Sequence, residues 1–413
     1  MDIELVTIGT ELLLGFTIDT NGAEIAGALA SQGVRVVRRT AVADREHDIG
    51  EAVSAALQRT GAVITTGGLG PTRDDMTKRI VAELFGAPLE FDEGIWRSLL
   101  DRFARAGRPP VQSNRSQAEV PRGATVLPNR WGTAPGLWIE GAPGLAVLLP
   151  GVPHEMRMLL QHEVVPRLAG RGEGRVIRSL VVRTTGIAES TLAERMGEIE
   201  RDVAPLSLAY LPGLEGVDLR LTAWSLPPEE AGRLLRPAAD LLRERAGDFV
   251  YGEGDADLAA LVLEEARSRG LRVGVAESCT GGLVGERLTE IAGSSDVFIG
   301  GVVCYDNSLK MSLLGVPPSL IQSDGAVSEA VARAMAAGAI QRLGVDLAVS
   351  VTGIAGPGGG TEAKPVGTVW LGLAHGSEIT ARRSLFLGNR YDIRRRAAQA
   401  ALCLLLKRLQ ALS

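Results

Sequence analysis

Short β-branched runs, each followed by a helix pattern, constrain the fold of this chain more than any other feature of its sequence. Ile3–Ile8 is apolar and ends in Gly9, and a helix pattern follows over Asn21–Gln32. A second run, Val34–Thr40, precedes a helix at about Asp48–Gln58, and a third, Ala62–Thr66, enters a glycine cluster. Strands spaced this way are too far apart for hairpins and need helical crossovers, which predicts an α/β fold around a parallel sheet. Leu145–Leu149 reads as a later strand of that sheet, with a helix over Glu155–Leu168. In such sheets ligands bind where strands end and loops begin, so the loops after each run are the places to search.

The chain has 413 residues, more than one core usually serves. Gly170–Gly174 is the first linker, and it closes an N-terminal domain over residues 1–169. Strands Val176–Thr184 and Val217–Ser225, with helices near Glu189–Ile199 and Pro228–Ala246, predict a small α+β unit over residues 175–251. After the Gly252–Asp255 cluster, an α/β domain over 255–413 begins with a helix from Asp257. Its strands are Leu271–Ala276, Val297–Tyr305, Asp346–Val351, Gly367–Ala374 and Glu378–Leu387. Its longer helices are Ser328–Leu343 and Tyr391–Leu409, and no repeat relates it to the first domain.

A net charge of −5, with Arg394–Arg396 the one basic run, argues against nucleic acid as the main partner. Three scattered cysteines and four histidines leave no disulfide framework or zinc site. Asp2 and Glu4 interrupt the first apolar run, which does not read as a signal peptide, and no run is long enough to span a bilayer. The expectation is a cytoplasmic protein without a membrane partner.

Thr65–Thr77, TTGGLGPTRDDMT, leaves a strand and enters a helix. Gly67, Gly68 and Gly70 would let the backbone approach a ligand, with Thr72 in the same turn. Asp74 and Asp75 beside a phosphate cradle would repel it unless a divalent cation lies between, with Glu11 and Asp19 as further ligands from the same sheet edge. The plainer alternative is that the two aspartates decorate a first helical turn.

Ala276–Gly282, AESCTGG, forms another strand-to-helix turn, where Ser278 would face backbone donors fit for an oxyanion. No histidine is near. Tyr305 and Lys310, in GVVCYDNSLK, follow the next strand, and a desolvated lysine can act as base toward serine. Cys279 competes as nucleophile, and Ser278 could instead be a plain helix cap. Val351–Val369 forms a glycine-rich loop with Gly353 and Gly356, fit to wrap a phosphate or ribose, and Arg390 opens the last helix where it could meet a phosphate.

The motifs VTIGTELLLG, DTN, TTGGLGPTRDDMT, PNRWGTAPG and LPGVPHEM resemble, in that order, the molybdopterin-binding-type domain that opens the CinA (competence/damage-inducible protein A) family. AESCTGG, GAVSE, GIAGPGGG, KPVGTV and the Gly-x-Arg turn resemble the C-terminal domain of the same family, shared with nicotinamide mononucleotide deamidases. The resemblance implies deamidation of nicotinamide mononucleotide to nicotinic acid mononucleotide and ammonia at the C-terminal site. Ser278 would be nucleophile, Tyr305 and Lys310 its partners, and Gly281, Thr352 and Arg390 substrate contacts, with no cofactor. For the N-terminal domain it implies ADP-ribose pyrophosphate hydrolysis with a divalent metal (Mg, Mn or Co) near Asp74 and Asp75; molybdopterin binding is the alternative. Cys304, Asp306 and Asn389 depart from the residues the family pattern suggests. TTGIAES, Thr184–Ser190, also recurs in the family; it carries no chemistry, and a spacer or dimerisation role is expected, in a homodimer. A competence-associated binding protein with inactive sites is the reading from a different class.

Overall fold

The first apolar run forms β1 (Asp2–Ile8), and its side chains alternate between two cores. Ile3 and Leu5 pack with one set, Val6 and Ile8 with another, as the two-residue period of a strand requires. The computed structural model describes every residue except Ala106, Arg108, Gly170, Gly172, Glu173 and Ser413. Three of those belong to the expected Gly170–Gly174 linker, which to that extent lies outside the described residues. The chain falls into two compact units, Met1–Arg178 with Thr222–Leu234, and Ser179–Leu221 with Leu235–Ser413.

The first unit follows β1 with α1 (Thr10–Leu13), α2 (Asn21–Ala30), β2 (Arg35–Val42), α3 (Glu46–Thr60) and β3 (Ala62–Thr66). Gly61 ends α3 in the left-handed conformation and turns the chain directly into β3, whose five residues are all buried. Then come α4 (Thr77–Leu84), β4 (Leu89–Phe91), α5 (Glu93–Arg105), β5 (Glu119–Pro121), β6 (Thr125–Leu127), β7 (Gly136–Gly141) and β8 (Gly144–Leu149). Helices α6 (Pro153–Leu159) and α7 (Val165–Leu168) follow, joined by a π-helical turn over Leu160–Val164. The sheet order is β2-β1-β3-β8-β7-β6. The expected parallel sheet is present over β2, β1, β3 and β8, while β7 and β6 run antiparallel at one side.

The strands β9 (Val176–Thr184), β10 (Ser207–Pro212), β11 (Val217–Leu226) and β12 (Val250–Glu253) make a four-stranded sheet ordered β10-β11-β9-β12. Its helices are α8 (Glu189–Met196), α9 (Ile199–Asp202) and α10 (Pro228–Ala246). The sequence reading found β9, β11 and α10 but missed the short β10 and β12.

The second unit also holds α11 (Leu258–Ser268), β13 (Val273–Glu277), α12 (Leu283–Thr289), β14 (Phe298–Val303), α13 (Asn307–Leu314), α14 (Pro318–Asp324) and α15 (Glu329–Leu343). It ends with β15 (Leu347–Gly353), β16 (Thr368–His375), β17 (Glu378–Leu385) and α16 (Arg390–Gln410). Their order is β14-β13-β15-β16-β17, parallel over the first three and antiparallel beyond. Val273, Val275 and Val349 pack on α11 and α16, and Ala276 and Ala348 pack on α15. Leu402, Leu405 and Leu409 of α16 are fully covered, each worth roughly 1.5–3 kcal/mol of burial.

Both large sheets share one device. In each, the first strand sends its crossover to one side (β2, β14) while the third lies on the other (β3, β15). The crevice at such a reversal, beyond the carboxyl ends of the strands, is where open α/β sheets take ligands.

Candidate functional sites

At the first reversal the turn after β3 folds onto its own protein. A side chain at Gly67 would meet the Ile8 carbonyl at 2.2 Å, at Gly68 the Thr77 hydroxyl at 2.1 Å, and at Gly70 the Asp75 carboxylate at 2.4 Å. The glycines expected to admit a ligand therefore first admit protein neighbours. Asp75 accepts from the Thr72 amide at 2.8 Å and from its hydroxyl, which ties the turn shut. Asp74, one residue earlier, is exposed.

The four expected metal ligands are not gathered. Asp19 accepts from the Gly22 amide at 2.8 Å and from Arg39 at 2.7 Å, which uses both its oxygens. Glu11 folds back over Gly9. Among the described residues no group of three or more acids, histidines or cysteines is placed to hold an ion. Unpaired oxygens are present instead. Asn21 holds Thr66 and the Gly151 carbonyl through its amide nitrogen, at 3.0 and 2.8 Å, while its buried Oδ1 has no partner among the described residues. The buried Thr77 hydroxyl likewise has none.

Sequence reasoning passed over Lys78. Its ammonium donates to the Ser116 carbonyl, and burial pushes it down to about 8, against the pull of Glu119 and Asp75. The motifs PNRWGTAPG and LPGVPHEM meet through Asn129, which donates to Glu155 at 2.6 Å, and Trp131 stacks on His162 at 5.1 Å.

At the second reversal, strand register sets the site. Glu277 lies beside Val303 on one side and Val351 on the other, so Ser278, Cys304–Tyr305 and Thr352 emerge along one edge. Ser278 is 8% exposed, and its amide donates to the Val351 carbonyl at 2.9 Å. Lys310 is 1% exposed, so it is not an ordinary solvated helix lysine. Its ammonium donates to the carbonyls of Cys304 and Tyr305 at 2.9 and 3.1 Å, and burial lowers its pKa from the ordinary 10.5. Asp306 caps α13 by accepting from the Ser308 amide at 2.8 Å, which fixes the helix that carries Lys310.

Cys279 packs inward, and burial pushes its thiol up to about 12. Tyr305 is 61% exposed, and its hydroxyl accepts from Arg390 at 3.0 Å. Arg390 also donates to the Gly356 carbonyl at 2.8 Å, so it links the tyrosine to the glycine-rich loop rather than standing free. Thr352 is buried and gives its hydroxyl proton to Ala326 at 2.8 Å. Gly353 and Gly356 lie too close to Val369 and Val366 for any side chain, 2.7 Å in each case. Asn389 caps α16 through the amides of Tyr391 and Asp392, a task its short polar side chain performs as an aspartate would.

The first turn of α12 is not open to an oxyanion, contrary to the sequence reading. Glu277, buried at the end of β13, accepts from Gly282, Val284 and Gly285 at 2.9–3.1 Å and uses those donors. From the other side Arg394 donates to the carbonyls of Cys279 and Thr280, at 3.2 and 2.7 Å, and lies 3.2 Å from where a side chain on Gly281 would begin. Neither residue was singled out. An acid closing an otherwise apolar buried strand is the available signal for Glu277; in the sequence Arg394 is only one member of a charge run.

Family models match three stretches: the "Probable molybdopterin binding domain" over residues 4–170, the "Damage-inducible protein CinA KH domain" over 179–252, and the "CinA C-terminal domain" over 255–409. A CinA-like protein of Gemmatimonas aurantiaca is 55% identical over 406 residues, 97% of this chain and 95% of that one. This chain belongs to the CinA family. A CinA-like protein of Salinibacter ruber is 44% identical, over 97% of this chain and 98% of its own. The solved competence damage-inducible protein A (ComA) of Klebsiella pneumoniae is 33% identical and covers 38% of this CinA-family chain and 97% of its own, at a TM-score of 0.37.

KH modules clamp nucleic acid with a Gly-x-x-Gly loop. In this CinA-family chain α8 and α9 are joined by Gly197-Glu198, and Gly213–Gly216 closes the β10–β11 hairpin instead. The TTGIAES motif serves that hairpin: Thr184 and Thr185 donate to the carbonyls of Val217 and Glu215, both at 2.6 Å. No helix of the described residues is long and apolar enough to cross a membrane.

Proposed function

We propose that this chain hydrolyses the carboxamide of nicotinamide mononucleotide, giving nicotinic acid mononucleotide and ammonia. The observation that carries the reading is Lys310: a lysine 1% exposed, depressed by burial, beside the edge where Ser278 emerges. A lysine stripped of water loses its proton more readily and can then serve as a base. Ser278 Oγ adds to the carboxamide carbon as Lys310 Nζ takes the hydroxyl proton. That proton passes to the amide nitrogen, the C–N bond breaks, and ammonia leaves. Water then adds to the ester, giving a proton to Lys310 Nζ, and Lys310 returns that proton to Ser278 Oγ as the C–O bond to the serine breaks and the acid is released as carboxylate. Arg390 keeps Tyr305 and the glycine-rich loop together, and its remaining donors are offered to the substrate phosphate. Incubating the pure protein with nicotinamide mononucleotide and measuring ammonia tests the reading; no release above a Ser278→Ala control overturns it.

For the N-terminal edge we propose metal-dependent hydrolysis of the ADP-ribose pyrophosphate. No preformed cage of acids, histidines or cysteines is present among the described residues, so this reading takes an ion held by one or two carboxylates and completed by phosphate oxygens. Asp75, with Asp74 beside it, would hold such an ion (Mg, Mn or Co), which when bound neutralises pyrophosphate charge. Lys78, whose charge acts on Asp75, adds a positive charge there. Molybdopterin binding is the second reading, supported by the description of the matching domain model. Loss of ADP-ribose cleavage with a chelator supports the first; unchanged cleavage sinks it.

A further inference from the structure

A hollow of about 910 Å³ opens beside α5, within the range of about 300–1,000 Å³ in which proteins take small organic ligands. Ser98, Arg102 and Arg105 line one side of it from a single face of α5, at the three- and four-residue steps that bring helix positions into a row. Residues of the 128–135 loop line the other side. None of the described lining residues comes from the turn after β3, so the hollow is separate from the proposed pyrophosphatase edge.

The loop is held in shape by its own contacts. Asn129 accepts from the Trp131 and Gly132 amides at 3.0 and 2.8 Å and donates to the Ala134 carbonyl at 2.8 Å. A side chain on Gly132 would lie 1.7 Å from the Glu155 carboxylate, so only glycine fits there. Arg102 donates to the Arg130 carbonyl and joins the loop to α5. The side chains of Asp101, Arg105 and Arg130 have no partner among the described residues. Three guanidiniums thus face the hollow against the one carboxylate of Asp101, a surplus of two positive charges. A phosphate monoester carries about −1.5 to −2 at neutral pH, which offsets that surplus, and its oxygens match the arginine fork. Ile95, Leu99, Val126 and Pro135 supply an apolar wall. Ser98 gives its own proton to the Gly94 carbonyl at 3.0 Å, which leaves its oxygen to accept from a sugar hydroxyl.

We propose that this hollow is a further ligand site of the first unit and takes a nucleoside monophosphate, with the phosphate on Arg102, Arg105 and Arg130 and the base on the apolar wall. Neither proposed hydrolysis is needed for it. Inorganic phosphate alone leaves the apolar wall in water, and a nucleoside alone leaves the guanidiniums unpaired. The two halves joined in one molecule therefore bind more tightly than either.

The test uses the full chain, AMP as the probe, and amide hydrogen exchange, which reports where the probe sits and needs no turnover. AMP should slow exchange in α5 and in residues 128–135, in the wild type and equally in Asp75→Ala. Replacing Arg105 and Arg130 by alanine should raise the AMP concentration needed by roughly 10-fold for each guanidinium removed, about 100-fold together. Both arginines are exposed, and thermal unfolding checks that the double variant folds. Adenosine and inorganic phosphate should each protect these segments only at concentrations at least about 10-fold above that of AMP. No protection at millimolar AMP, or undiminished protection without the two arginines, overturns the proposal. Protection lost in Asp75→Ala also overturns it, by moving the nucleotide to the crevice after β3. Ribose 5-phosphate or inorganic phosphate acting as well as AMP overturns the assignment of a nucleoside.

Discussion

Replacing Ser278 and Cys279 one at a time by alanine separates two adjacent nucleophiles, and the structure supplies the size of the expected difference. With its thiol pushed up to about 12, Cys279 is a thiolate in only about one molecule in ten thousand at pH 8. It also packs in the apolar core that includes Val275 and Val284. Cys279→Ala should therefore keep most deamidase activity, within roughly threefold, and lose about 1 kcal/mol of stability from the removed apolar contact. Ser278→Ala removes the atom proposed to form the covalent bond, and loss of a nucleophile typically costs about 10⁴–10⁶ in kcat. Both variants should be assayed side by side for ammonia release from nicotinamide mononucleotide, with thermal unfolding as the check on folding. Activity that survives in Ser278→Ala and vanishes in Cys279→Ala would refute the argument from thiol burial and transfer the chemistry to sulfur.

Three further outcomes are expected. Because burial lowers the Lys310 pKa, the folded chain gives up that proton at lower pH than an exposed lysine would. The rate kcat/KM should then rise with pH until Lys310 is neutral, level off below the ordinary 10.5, and stay low throughout in Lys310→Arg; a flat wild-type profile would remove Lys310 as the base. The same shift makes its burial most costly to stability below the lowered value, a cost that fades as pH climbs toward 10.5. Asp75→Ala should abolish chelator-sensitive ADP-ribose cleavage yet leave deamidation unaltered, and full cleavage in that variant would take Asp75 out of the site. Gly338→Ala would set a methyl 2.0 Å from the Leu314 carbonyl, at the end of the helix that carries Lys310. Backbone cannot yield there cheaply, so urea denaturation should show a loss of roughly 1–3 kcal/mol, with deamidase activity reduced; a neutral result would mean α13 and α15 separate without cost.

What could be read from the sequence follows from how each signal arises. β1, β3, β13 and β15 are buried on both faces, so their apolar runs stand out against polar flanks. The short strands β4, β5 and β6 have only three residues each, too few for a period to show. Ser278, Lys310 and Tyr305 were legible because each follows a recognisable strand. The purpose of Glu277 and Arg394 was not, because each acts on backbone atoms rather than on a side chain with its own signature. The N-terminal acids show the opposite failure. Asp19 has the right residue type in the right loop, yet Arg39, from the neighbouring strand β2, claims it, and no local pattern forecasts that pairing.

The grip of Arg394 on the turn behind Ser278 spans 115 and 114 positions of sequence. A ribosome delivers residues in order, so the serine emerges long before the arginine that orients its surroundings. The five-stranded sheet needs only local and middle-range pairings to begin forming, but the turn waits for α16 to dock. During that interval the Cys279 and Thr280 carbonyls lack the guanidinium that holds them in the folded chain, so the turn takes its native set only once α16 has packed in the core that includes Val275 and Val349.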